Sequence, residues 1–210
     1  MDYSNFKKHI QKLSNSEIGG LEAQFKLAPK LRKQFSEEKI KANNPKKAAV
    51  LVIFYPNNSG KINFLLTLRA SYNGTHSAQI SFPGGKFDLK DTSLEQTALR
   101  EAFEEVGIIK KDISIFKQMT DVFIPPSNFI VTPYLSYIDY TPIFTKNHEV
   151  EDLIEINVSD FLCDSAISST TLSTSYAKNI EVPCFKLNNY IVWGATAMML
   201  SEIKELIKII

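Results

Sequence analysis

At 210 residues, with 44% of them hydrophobic, the chain is long enough to bury a substantial core in one domain and still carry an extension. Lysine plus arginine number 24 against 23 aspartate plus glutamate, a formal charge of +1, so composition offers no polybasic tract for nucleic acid and no acidic block typical of a disordered tail. The opening Met1-Asp2-Tyr3-Ser4 lacks an apolar signal core, no apolar run is long enough for a bilayer, and Cys163 and Cys184 lack metal-ligand or disulfide spacing; no nucleic acid and no membrane partner is expected, and a cytoplasmic setting fits.

In chain order, Phe6, Ile10 and Leu13 recur at helical spacing and predict a short amphipathic helix, interrupted over 14–20. Residues 30–47, rich in lysine and glutamate, read as a second surface helix or a loosely held arm ending at Asn43-Asn44-Pro45. The division expected is a helical extension over 1–47 and the main domain over 48–210. Ala48 to Tyr55 is a continuous apolar run closed by a Pro56-Asn57-Asn58-Ser59-Gly60 turn, the pattern of a strand buried on both faces, and 63–69 is its hairpin partner. Ser93 with Gln96 forms a capping box that opens a helix, along which Leu94, Ala98, Ala102 and Val106, flanked by Leu99 and Phe103, make an apolar stripe. Further strands are expected over 113–124, 129–137, 180–185 and 190–193, and an amphipathic helix over 195–210 with Trp193 packed beneath it in preference to stacking on an adenine. Both cysteines read as small buried hydrophobes.

The chemistry concentrates between Phe82 and Ile108. Glu101, Glu104 and Glu105 stand at i, i+3 and i+4, so they leave the helix on one face, in its last turns, where the helix dipole also disfavours anions. Such crowding calls for a cation, and a hard divalent ion that prefers oxygen ligands is the natural candidate. Gly84 and Gly85 before the helix permit close backbone approach, and Gly107 suits a left-handed C-terminal cap.

This segment resembles the Nudix box, G-x5-E-x7-R-E-U-x-E-E-x-G-U with U aliphatic: Gly85, Asp91, Arg100, Glu101, Ala102, Glu104, Glu105, Gly107 and Ile108 follow in order. Asp91 stands where the family has glutamate, and eight residues rather than seven separate it from Arg100. Upstream, Leu65-Leu66-Thr67-Leu68-Arg69-Ala70, His76 and Gln79-Ile80-Ser81-Phe82-Pro83-Gly84-Gly85 are similar to the signature of the coenzyme A diphosphatase subfamily, with Gly74 in place of its second arginine and Ala78 in place of its glycine. Val131-Thr132-Pro133, Asn147-His148-Glu149-Val150 and Val192-Trp193-Gly194-Ala195-Thr196-Ala197 extend the likeness over roughly 48–210. The fold this resemblance implies is α/β (α+β), a Nudix-type α/β/α sandwich with a mixed sheet; periodicity by itself gives only α plus β.

A diphosphate repels an attacking hydroxide, so a catalyst must neutralise its oxygens and supply a nucleophile at neutral pH, and a divalent metal does both. The expected ligands of Mg²⁺ or Mn²⁺ are Glu101 and Glu105, with the Gly85 carbonyl and Glu104 as additional ones, and one of these acids acts as general base. Arg100 is expected to orient a glutamate, with Asp91 as a further partner. Arg69 is the candidate for substrate phosphate, with His76, Gly84 and Gly85 also on the substrate side. Glu149 or Glu151 is a candidate late carboxylate. The resemblance implies hydrolysis of coenzyme A or acyl-coenzyme A to phosphopantetheine and adenosine 3′,5′-bisphosphate. A Nudix pyrophosphatase acting on ADP-ribose or another nucleoside diphosphate derivative, and a ligand-binding module that no longer hydrolyses, stand as alternatives. A homodimer is compatible with the sequence, though no residue specifies it.

Overall fold

The apolar run after Pro45 becomes β1 (Lys46–Pro56), the axis of an eight-stranded mixed sheet. A computed structural model describes residues 1–30, 32, 37–70, 79–172 and 179–210. Strand β1 runs parallel to β7 (Phe129–Tyr137) over its length, pairing Lys46 with Phe129 and Phe54 with Tyr137. On its other edge it has two partners in succession. β2 (Ile62–Arg69) pairs antiparallel with it at Phe54–Pro56, and β4 (Gly84–Lys86) does so at Ala48–Val50. The sheet therefore forks, and β2 continues beside β3 (Ile80–Ser81) and β8 (Val150–Asn157). β5 (Ser114–Gln118) and β6 (Val122–Ile124) both pair with β7, so the single run expected over 113–124 is two strands broken at Met119-Thr120-Asp121.

Alternation along β1 divides the core in two. Ala49, Leu51, Ile53 and Tyr55 pack with Ala98, Ala102 and Val106 of α5 (Leu94–Val106). Val52 and Phe54 face the opposite layer, with Phe6, Leu13 and α7 (Gly194–Ile207). A run apolar at every position is what a strand covered on both sides requires.

The first helix expected is two, α1 (Tyr3–Lys8) and α2 (Ile10–Asn15), broken at His9. They are followed by α3 (Gly20–Phe25), which the sequence did not signal, and by α4 (Glu37–Ala42). Phe6 is fully buried, its ring 5.1 Å from that of Phe54 and 6.2 Å from that of Phe116. Phe6→Ala is therefore expected to cost about 3–5 kcal/mol in a denaturant titration; a loss below about 1 kcal/mol would place this segment loosely on the surface.

α7 is not amphipathic: nearly all of it is buried, including Glu202, whose carboxylate accepts from Gly20 N (3.0 Å), Gln24 Nε2 (3.1 Å) and Thr120 Oγ1 (2.6 Å). Two other expectations fail locally. Phe103 is half exposed, because the apolar stripe of α5 is narrower than its hydrophobic residues suggest, and Cys163 is exposed just after α6 (Val158–Leu162), whereas Cys184 is buried. A separate antiparallel sheet of β9 (Ile167–Leu172), β10 (Ile180–Leu187) and β11 (Tyr190–Trp193) leads into α7. No helix among the described residues is long and apolar enough to cross a membrane.

Candidate active site

Helix α5 is fixed at both ends by the signals in its sequence. Ser93 Oγ accepts from Gln96 N (3.2 Å), and Gly107, at φ 76°, caps the C-terminus in the left-handed region while its N–H reaches the Phe103 carbonyl. With its apolar side on β1, the helix turns its acids toward the fork between β2 and β4. The glycine strand lies close against it: a Cβ on Gly85 would stand 2.5–2.8 Å from the Glu101 carboxylate.

Arg100 organises one side of this cluster. Its Nε and Nη2 each reach an Asp91 oxygen at 2.9 Å, Nη1 donates to Glu101 (2.9 Å) and Glu104 (3.2 Å), and Nη2 also donates to the Lys86 carbonyl (3.1 Å). The bidentate contact is the geometry in which guanidinium and carboxylate bind best. Asp91 further accepts from Thr97 Oγ1 (2.8 Å) and Asp88 N (3.1 Å), so its carboxyl is held well below the usual range, chiefly by Arg100, and the Arg100 guanidinium is held protonated in return. Asp91 thus serves as the arginine's anchor. The extra residue before Arg100 is taken up without disturbing the acids beyond it.

Glu105 is the most enclosed acid of this cluster, its side chain only 4% exposed. It accepts from Gly84 N (3.0 Å), and Arg69 Nη1 lies 3.5 Å from its other oxygen. Burial nevertheless pushes its pKa up to about 7; Gly84 N–H and Arg69 oppose the rise, while Glu101 and Glu149 add repulsion. Glu101 is raised too, by burial first, with Arg100 pulling the other way. Both groups therefore ionise at a cost.

Arg69, expected to meet substrate phosphate, ends β2 between Glu105 and Glu149, whose Oε2 lies 3.6 Å from Nη2. Its Nε is buried and has no partner among the described residues. Glu149 is brought there by backbone pairing, since its carbonyl accepts from Ala70 N at 2.8 Å. Glu151 joins no part of this cluster among the interactions seen. His76 lies outside the described residues.

Among the described residues no three of His, Cys, Asp or Glu converge closely enough to enclose a metal ion unaided. The donor set still fits a hard divalent cation: every side chain offers oxygen, Glu149 adds repulsion at both Glu101 and Glu105, and among the described residues Arg69 is the cation that stands between Glu105 and Glu149. Open sites of this sort suit an ion that keeps water and phosphate oxygens among its ligands.

On the far side of β4 from α5 lies a cavity of about 320 Å³ that sequence reading did not anticipate. Arg69, Gly84, Gly85 and Lys86 border it, and Trp193, expected to pack under α7 with adenine stacking as the alternative, lines its wall. The alternation of β4 against β1 was the available signal: Gly85 registers with Ala49 on the helix side, and Gly84 and Lys86 register with Val50 and Ala48 on the cavity side.

Comparison with known proteins agrees with this arrangement. The family model of the NUDIX domain matches residues 45–168. The chain is 28% identical over 167 residues to the peroxisomal coenzyme A diphosphatase ndx-8 of Caenorhabditis elegans, covering 78% of this chain and 70% of that protein. It is 32% identical over 146 residues to NudL of Yersinia pestis (strain Pestoides F), an uncharacterized Nudix hydrolase, covering 69% and 72%. The crystal structure of a Nudix hydrolase from M. smegmatis, RenU, has the same fold at a TM-score of 0.55 and 16% identity, over 79% of this chain and 88% of that one. Matched over more than half its length, this chain belongs to the Nudix family and is a hydrolase of pyrophosphate bonds, in a family whose members work with divalent cations.

Proposed function

We propose that the substrate is coenzyme A or an acyl-coenzyme A, cleaved at its diphosphate to phosphopantetheine and adenosine 3′,5′-bisphosphate. The observation that carries the reading is the stretch from Leu65 to Gly85, which is similar to the coenzyme A diphosphatase signature and ends in the two glycines that lie against Glu101 and Glu105. The 28% identity to a coenzyme A diphosphatase supports it.

Glu101, Glu105 and the Gly85 carbonyl would hold the cation, Mg²⁺ or Mn²⁺, with Glu104 as a further ligand. When bound, such an ion neutralises phosphate oxygens and makes water a better nucleophile at neutral pH. The remaining work falls to the chain itself. Arg100, anchored by Asp91, fixes the Glu101 and Glu104 carboxylates. Arg69 exchanges its long contacts with Glu105 and Glu149 for diphosphate oxygens, which suit a guanidinium fork. Glu149, half exposed beside Arg69, would accept the proton from attacking water.

Turnover of coenzyme A, dephospho-coenzyme A and ADP-ribose with Mg²⁺ or Mn²⁺, with products identified, tests the reading. Coenzyme A should be preferred and yield adenosine 3′,5′-bisphosphate, and a chelator should abolish turnover. Preference for ADP-ribose would defeat the coenzyme A assignment.

A further inference from the structure

The cavity beside β4 is walled mainly by Ile80, Phe82, Ile124, Phe129, Trp193 and Met199. Apart from Arg69 Nε and the Lys86 ammonium at its acid end, few side-chain polar atoms of its wall are left without a partner among the described residues. Thr196 Oγ1 already donates to the Ile80 carbonyl (2.8 Å), Ser81 Oγ meets Thr67 Oγ1 (3.4 Å), Arg32 donates to the Phe123 carbonyl, and of the wall hydroxyls only that of Ser127, itself buried, lacks a partner. A slim chain with two amides would leave polar groups unmatched here, at about 1–3 kcal/mol for each. A flat aromatic ring would not, because its faces are apolar and its polar edge can face the opening.

Lys86 supplies the second observation. Its register opposite Ala48 puts it on the cavity side of β4, where it borders the cavity, and its ammonium makes no ion pair or hydrogen bond among the described residues. Immediately before it in the same strand, Gly84 and Gly85 carry no side chains, so the cavity and the acid cluster meet across bare backbone. A ligand whose diphosphate lies at the acids can reach this apolar cavity across those two glycines.

We propose that the cavity seats the nucleobase of the substrate against Trp193, and that Lys86 meets an additional phosphate carried by the same nucleoside. This rests on the coenzyme A reading for the extra phosphate. The seat for a base stands on the cavity's own walls, and the pantetheine arm is left to run outward from the other side of the diphosphate.

Trp193 is the sole tryptophan of the chain, so its fluorescence reports on this cavity alone. The full chain is titrated with adenosine 3′,5′-bisphosphate, with AMP and with 4′-phosphopantetheine, none of which needs turnover. Saturable change is expected with both nucleotides, about tenfold tighter for the bisphosphate, and none with 4′-phosphopantetheine. Lys86→Met should bring the two nucleotides to within about twofold of each other, and Trp193→Ala should raise KM for coenzyme A about tenfold. Response to 4′-phosphopantetheine in place of the nucleotides would overturn the proposal. So would silence toward both nucleotides in a chain that hydrolyses coenzyme A, an outcome that leaves the substrate assignment intact. Preference for ADP-ribose in turnover, with a normal response to AMP, would instead remove the substrate assignment and the role of Lys86 while upholding the seat for the base.

Discussion

Glu105→Gln is expected to abolish most hydrolysis and at the same time to make the metal-free protein more stable at pH 8. The loss, about 10²–10³-fold or more in kcat, follows from removing a charge where a cation must be held. The gain follows from burial. In the folded chain the acid ionises only near about 7, against an ordinary value of 4.5. A carboxyl whose folded-state value lies above its unfolded one takes up protons on folding, so its contribution is most favourable below 4.5 and declines as pH rises to 7. That gap corresponds to about 3 kcal/mol at pH 8. The attraction of Arg69 is already counted in that gap; the carboxamide, which must turn an N–H instead of an oxygen toward either Gly84 N–H or Arg69, returns part of it and leaves a net gain of about 2 kcal/mol, or about 4–8 °C in Tm for a chain of this size. Thermal melts at pH 5 and pH 8, with and without Mg²⁺, check both halves. The variant should melt higher than the parent only at pH 8 without metal. Equal melting at pH 8, or near-normal turnover at saturating Mg²⁺, would contradict the placement of Glu105.

The adjacent glycines should separate activity from stability. A Cβ at Gly84 would stand 2.4 Å from the Ala49 carbonyl oxygen and 2.6 Å from Val50 Cα, backbone atoms that cannot step aside. Gly84→Ala should therefore cost about 3 kcal/mol or more of stability. At Gly85 the obstruction is the end of the Glu101 side chain, which can swing away. Gly85→Ala should fold with nearly parental stability and lose about 10–100-fold in kcat, because the displaced carboxylate no longer meets the cation where the phosphates lie. Urea titrations and initial rates on the two variants would distinguish these effects. Equal destabilisation by both would mean that Glu101 is wedged rather than mobile.

Much of this architecture is legible in local patterns. The unbroken apolar run of β1, the bounds of β7 and β11, the Ser93 cap and the Gly107 stop each depend on neighbouring residues, and each occurs where expected. The acids of α5 are also a local matter, set by helical spacing. What escaped depends on partners distant in sequence. α3 is too short to show a period, and β8 carries Glu151, Asp152 and Glu155 among its apolar residues, so no strand was expected there. Arg69 looked free for phosphate because Glu149, 80 positions further on, is brought to it only by the pairing of β2 with β8. Trp193 and Lys86 become neighbours of one cavity only when β4 and the start of α7 close over the same face of β1.

The carboxylate of Glu202 has a bearing on how the protein can be dissected. Two of its three donors come from residues 20 and 24, ahead of the segment recognised as the family domain. A truncation that began at residue 45 would strand a negative charge in the interior of the last helix with Thr120 as its remaining donor. The first helices are thereby a lid on buried charge, and any shortened version of this hydrolase would need a neutral residue at 202 before it could be expected to hold together.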